Sequence, residues 1–180
     1  STVELVEADD LSGGITLVGV NTATPNPLVA EALRNAVIPE LLGYERIRRE
    51  VRYGLNSRVD FLLEGEERPP CYVEVKNVHL CRRRSIAEFP DCVTARGAKH
   101  LRELASMAKA GARAVMLFCV QRVDCARFTL ARDLDPAYAD AFDEAVASGV
   151  ETLAYRCHIS TGRIEIAAAI PFCGENEIKP

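Results

Sequence analysis

The sequence predicts an α/β fold, a mixed β-sheet flanked by helices. Three observations carry this. The periodicities run helix, three strands, helix, strand, helix, strand, an order that packs helices on a sheet. "ARAVMLFCV" is apolar without alternation, as in a central strand covered on both faces. The chain has 180 residues, 48% of them hydrophobic, enough for one compact core.

The elements follow in chain order. "VELVEA" and "ITLVGV", joined at Ser12-Gly13-Gly14, read as a hairpin. In "NTATPNPLVAEALRN", Asn26 can cap a helix with Pro27 at its first position, and Leu28, Val29, Ala32 and Leu33 make its apolar face. Pro39 ends or follows it. "YERIRREVRYG" and "SRVDFLLEG" are strands meeting near Gly54-Leu55-Asn56, and "CYVEVKNVHL" is a third strand after the polar turn "GEERPP". "CRRRSIAEFPDCV" reads as a loop. Thr94 opens a helix with Leu101, Leu104, Ala105 and Ala108 at helical spacing, stopped by Gly111. After the apolar strand, "DPAYADAFDEAVASG" is an amphipathic helix and "VETLAYRCHIS" a further strand.

No apolar run is long enough to span a bilayer, the start lacks a signal-peptide pattern, and a cytoplasmic location is expected. The seven cysteines are scattered without a Cys-x-x-Cys pair, so reduced thiols acting as small core residues are expected, with neither a disulfide framework nor a zinc site. The net charge of −4 argues mildly against nucleic acid, but it is uneven. From Lys76 to Arg113, nine Lys and Arg face three acids, which makes this segment +6 and the remainder −10.

Three charges interrupt the core strands. Alternation places Tyr72, Glu74, Lys76 and Val78 on one face, and a short turn sets Asp60 opposite or diagonal to Glu74. Two carboxylates a few Å apart repel unless a cation lies between them. Mg²⁺ (or Mn²⁺) is such a cation, held by oxygens from Asp60, Glu74 and the main-chain carbonyl of Val75. Lys76 can then orient water or steady charge on a phosphate. The alternative is a solvated strand face, with Asp60 paired to Arg58 or Arg52.

Asp, a turn, then Glu-x-Lys within helix–three strands–helix–strand resembles the PD-(D/E)xK core of restriction endonucleases. Longer stretches, "NTATPN", "IPELLGYERIRREVRYG", "SRVDFLL", "CYVEVKNVHL", "FPDCVTARGAKHLREL", "ARAVMLFCV", "DPAYADAFDEA" and "GVETLAY", are similar to the sugar fermentation stimulation protein A (SfsA) family from about Leu17 onward. That resemblance implies a nuclease-like domain over residues 21–180, with residues 1–20 as tail strands of an N-terminal OB-like half. It implies Asp60, Glu74 and Lys76 as catalytic residues. Glu31 would be an additional metal ligand, its alternative being an exposed helix Glu. "RGAKH" departs from the family at Ala98, where Gln is expected.

Arg82, Arg83, Arg84, Arg96, Lys99 and His100 are candidate nucleic-acid contacts, the alternatives being a solvated loop and an ordinary basic first turn. Asn21 and Thr22 are read as bracing the first helix. The function expected from the resemblance is a Mg²⁺-dependent DNA/RNA nuclease, with DNA ahead of RNA as partner, no membrane and a homodimer. The alternative is a non-catalytic DNA-binding regulator of sugar or maltose metabolism that keeps the fold.

Overall fold

The computed structural model describes residues 5–19, 25–54, 56–160 and 162–174. Asn21, Thr22, Leu55 and the expected boundary at residues 20–21 fall outside the described residues.

β1 (Leu5–Asp9) and β2 (Ile15–Gly19) form a two-stranded sheet of their own. α1 (Pro25–Arg34) and a 3-10 turn (Pro39–Leu41) lead into the antiparallel strands β3 (Arg46–Tyr53), β4 (Ser57–Gly65) and β5 (Arg68–Val78). The β3–β4 turn is tight because Gly54 and Asn56 both take left-handed backbone, with φ of 53° and 65°, which Gly and Asn tolerate.

β6 (Leu80–Arg83) and β7 (Ile86–Phe89) follow, then α2 (Ala95–Lys109), β8 (Arg113–Val120), β9 (Arg127–Leu130), α3 (Pro136–Ala147), β10 (Glu151–Ser160) and β11 (Arg163–Ala169). The main sheet has six strands in the order β11-β10-β8-β5-β4-β3. β8 runs parallel to both β5 and β10, and the outer pairs are antiparallel. β6, β7 and β9 form a third sheet. The mixed α/β architecture with three helices is therefore as expected.

Two layers cover the main sheet. α1 packs Leu28, Val29 and Leu33 on the face carrying Phe61, Val73, Val75 and Leu117. α2 and α3 cover the other face through Leu101, Leu104, Tyr138 and Phe142 against Met116, Phe118 and Val120. This is why β8 reads as an unbroken apolar run: Ala114 through Val120 are all buried.

The helix starts are joined. Asp135, itself buried, accepts from the Tyr138 N–H at 3.0 Å as the cap of α3, and from the Thr94 N–H at 2.7 Å. Thr94 in turn caps α2 by accepting from the Gly97 N–H at 3.0 Å. Gly97 is small of necessity, since a Cβ there would lie 3.0 Å from the Tyr138 ring and 2.9 Å from Thr94.

Three expectations are corrected. "CRRRSIAEFPDCV" is not a loop but the β6–β7 hairpin, turned at Arg84-Ser85 with Ser85 at φ 64° and paired through β7 to β9. β9 and β11 are strands in addition to those expected. α1 starts at Pro25, so Asn26 lies inside its first turn and its side chain is free for another partner.

Candidate functional site

Main-chain pairing between β4 and β5 runs up to Phe61–Val73. One residue further on, Asp60 takes over: its Oδ2 accepts from the Val75 N–H at 2.7 Å. Asn26 Nδ2, from the first turn of α1, donates to Asp60 Oδ1 at 2.7 Å. The strands part here, and the carboxylate fills the gap. Opposite, β3 is bent: Arg49 pairs with Phe61 and Val51 with Val59, while Glu50 between them has φ 53°. Left-handed backbone costs a non-glycine residue about 1–2 kcal/mol, and such strain gathers at functional sites.

Glu74 is buried, its side chain 4% exposed. Lys76 Nζ donates to its Oε1 at 2.9 Å, and His100 Nδ1 from α2 makes a short contact with the same oxygen. Lys76 Nζ also lies 3.3 Å from His100 Nδ1, and Arg96 Nε donates to His100 Nε2 at 3.4 Å. Glu74 Oε2 is buried with no hydrogen-bond partner. Its lone pairs are unmet, and Glu74 lines a polar cleft of about 460 Å³ together with Asp60, Arg96, Lys99 and His100.

The two carboxyls are driven apart electrostatically. Burial, then the Glu74 charge, pushes Asp60 above the usual carboxylate range, against the pull of the Val75 N–H and Asn26. Burial acts the same way on Glu74, but the hydrogen bond from His100 and the charge of Lys76 outweigh it and hold that carboxyl below its ordinary value. Tyr53, beside them with its hydroxyl buried and unpartnered, is pushed up by burial and by the Glu74 charge.

Asp60 and Glu74 thus line one cleft, and Lys76 joins them through its bond to Glu74. The alternative pairing of Asp60 to Arg58 or Arg52 does not occur, since Asp60 is held by Asn26 and the Val75 N–H. Glu31 does not join them. Arg163 Nη2 on β11 donates to Glu31 Oε1 at 3.2 Å, and Glu31 lines a separate small cavity with Glu165. Glu31 thus stands apart from the Asp60–Glu74 cleft, because α1 turns this side toward β11.

Among the expected nucleic-acid contacts, Arg96, Lys99 and His100 all line the cleft, His100 being buried there against Glu74. Arg83 and Arg84 are exposed on the β6–β7 turn. Arg82 is committed elsewhere: its guanidinium binds both oxygens of buried Glu88, at 3.0 and 2.8 Å, and both oxygens of Asp133, at 2.6 and 2.8 Å. Arg82→Met is therefore expected to lower stability by about 2 kcal/mol, since it leaves the buried Glu88 carboxylate without its countercharge and with only the main-chain N–H of residue 82 as donor. Denaturant unfolding reads this. Unchanged stability with weakened nucleic-acid binding would return Arg82 to the binding set.

Sequence reasoning missed Asn26 as the Asp60 partner, Glu50 in the cleft lining, and the pair Arg52 and Arg58. These two arginines are cross-strand partners on β3 and β4, and both line an adjoining cleft of about 390 Å³. Like charges directly opposite are unfavourable, and neither has a carboxylate partner among the described residues. The signal was present in "RYGLNSR", once a tight turn sets the register.

Comparisons with known proteins agree with the fold. A family model described as "Sugar fermentation stimulation protein RE domain" matches residues 23–163. A sugar fermentation stimulation protein homolog of Azorhizobium caulinodans is 59% identical over 171 residues, 95% of this chain and 72% of that protein. The homolog of Brucella ovis is 54% identical over 170 residues, 94% of this chain and 69% of its own. A solved structure, described as Pyrococcus furiosus SfsA in complex with Ca²⁺, superposes with a TM-score of 0.80 at 30% identity, covering 87% of this chain and 67% of that one.

Proposed function

This chain belongs to the sugar fermentation stimulation protein (SfsA) family, and from that premise we propose that it is a metal-dependent nuclease with a PD-(D/E)xK-type core, hydrolysing phosphodiester bonds in DNA or RNA. The observation that carries the proposal is the meeting of Asp60, Glu74 and Lys76 where β4 and β5 part, with Glu74 Oε2 buried and unpartnered.

The donor set fits a hard divalent cation such as Mg²⁺ or Mn²⁺. It consists of carboxylate oxygens from Asp60 and Glu74, with the main-chain carbonyl of Val75 as a third oxygen that would join them, and one of those carboxylate oxygens has no hydrogen-bond donor. The Ca²⁺ named for the Pyrococcus furiosus relative supports a divalent-cation site in the family. When bound, such an ion supplies Lewis-acid chemistry: it makes water a better nucleophile and offsets phosphate charge. The chain's own residues do the rest. Asp60 is fixed by Asn26 and the Val75 N–H, so its carboxylate keeps one orientation. Lys76 holds an ammonium against Glu74, from which it would donate to a phosphate oxygen as charge builds there. His100, braced by Arg96, fixes Glu74 and keeps it ionised.

Arg52 and Arg58 extend this cleft with positive charge that no carboxylate among the described residues pairs, and Arg96 and Lys99 flank it. These serve the phosphate backbone, which gives affinity without base readout. β1 and β2, set in their own sheet, are read as the tail of an OB-like half.

The test is incubation of the purified protein with plasmid, linear duplex, single-stranded DNA and RNA, in Mg²⁺ or Mn²⁺ and in chelator. Cleavage that needs the metal supports the proposal. Salt-sensitive binding with no cleavage of any substrate replaces it with the non-catalytic regulator. In the same experiment Arg52→Ala with Arg58→Ala is expected to flatten the plot of log affinity against log salt by about two units, one for each phosphate no longer neutralised. An unchanged slope would remove these arginines from the binding path.

A further inference from the structure

Away from the cleft a second cluster forms where β6 meets the β8–β9 loop. The sulfurs of Cys81 and Cys125 and a carboxylate oxygen of Asp124 all lie within 4.8 Å of one another. Arg122 grips Asp124 with both arms, Nε to Oδ1 at 2.9 Å and Nη2 to Oδ2 at 2.7 Å, and donates through Nη1 to the His79 carbonyl at 3.1 Å. The guanidinium occupies both carboxylate oxygens and adds positive charge beside the sulfurs. This suits a thiolate better than a second cation. Cys125 is buried and Cys81 only half-buried, so a small reagent reaches Cys81 first.

We propose that Cys81 and Cys125 are a reactive thiol pair, oxidised to a disulfide by low-molecular-weight disulfides, with Cys81 as the attacking and Cys125 as the resolving sulfur. The Cys81 thiolate attacks one sulfur of RS–SR; the S–S bond breaks, Cys81–S–SR forms and RS⁻ leaves. Cys125 then gives its proton to solvent and attacks the Cys81 sulfur, and the second RS⁻ leaves. Two protein thiols and one RSSR become one protein disulfide and two RSH, the protein losing the two electrons that the small disulfide gains.

The surroundings favour this order. The neighbouring Cys125 thiol and the Arg122 charge outweigh burial and the Asp124 charge, so the Cys81 thiol, which donates to the Arg83 carbonyl at 3.1 Å while protonated, is lowered to about 7. The nearby Cys81 sulfur and burial push Cys125 up, and its thiol donates to Asp124 Oδ1 at 3.7 Å, which leaves it protonated until the adduct forms. Cys92 provides a built-in comparison. It is exposed, but its thiol is pushed up by Asp91. Cys119 and Cys157 also pair, 3.8 Å apart, but both are buried in the sheet.

The experiment exposes the reduced full chain to oxidised glutathione at pH 7 and maps every cysteine against time by mass spectrometry. Cys81 is expected to react about fivefold faster than Cys92, the larger thiolate fraction being partly offset by weaker nucleophilicity. It should then pass to a Cys81–Cys125 disulfide. Cys125→Ser should stop at the glutathione adduct on Cys81, and Cys81→Ser should leave Cys125 unreacted. Faster labelling of Cys92, or a lasting adduct on wild-type Cys81, overturns the proposal. So does stoichiometric Zn²⁺ binding that shields both thiols, which would make the cluster a metal site. The ranking of Cys81 against Cys92 needs no variant and decides the matter even if the substitutions unfold the chain. Neither outcome bears on cleavage at the Asp60–Glu74 site.

Discussion

Replacing Lys76 by alanine is expected to cut metal-dependent cleavage by about 10²–10⁴-fold while nucleic acid still binds. The size follows from where the ammonium sits. Among the described residues Lys76 is the only ammonium touching Glu74, at 2.9 Å, with its side chain 15% exposed, so its charge is poorly screened by water. In the proposed function phosphate affinity comes from Arg52, Arg58, Arg96 and Lys99, none of which the substitution alters. The loss should therefore appear in turnover, not in binding.

Arginine should not rescue the variant, because its planar fork cannot replace a compact ammonium packed between Glu74 and His100. Asp60→Asn gives the contrast. It removes a charge that burial already disfavours, so it should abolish the response to metal without loosening the fold. Single-turnover assays at saturating enzyme, beside filter binding, separate these effects. A Lys76→Ala protein that cleaves at the wild-type rate would end the catalytic reading of this site.

Phe118→Ala is expected to destabilise the chain by about 3–5 kcal/mol, the usual cost of a large cavity in a packed core. The ring is fully buried and meets Phe128 at 4.4 Å, Phe89 at 5.6 Å and Phe142 at 6.1 Å between ring centroids. It is also the β8 partner of Lys76 in the parallel ladder. Removing it empties the space between the sheet, α3 and the small third sheet. For a chain of this length the melting temperature should fall by roughly 10 °C. Phe118→Leu, which keeps most of the volume, should lose far less. Thermal unfolding followed by circular dichroism decides the point. A drop of only a degree or two would mean that the aromatic cluster collapses freely around the hole.

Five of the six strands of the main sheet were legible, β11 being the exception, because their signals are local. The apolar run of β8 and the alternation of β4 and β5 each lie within one strand. The meeting of Asp60 with Glu74 needed only a short turn to be inferred. β6, β7 and β9 were not legible, because each is four residues long and is stabilised by pairing with the others. The role of His100 depended on where α2 docks: its partner Glu74 lies 26 residues earlier, so spacing along the helix could not reveal it. Glu31 shows the converse. The residue type suited a ligand, but Arg163, 132 residues away, claims it. Arg82 likewise looked like part of a free basic run until Glu88 and Asp133 were seen to hold it.

The shared carboxylate of Asp135 has a kinetic consequence. It protects the Thr94 and Tyr138 amides at once, and Thr94 in turn protects that of Gly97. In deuterated solvent these three protons should exchange at rates set by one common opening, because none can be released locally without disturbing the next. α2 and α3 would then come loose as a cooperative unit, taking His100 from behind Glu74 as they do so.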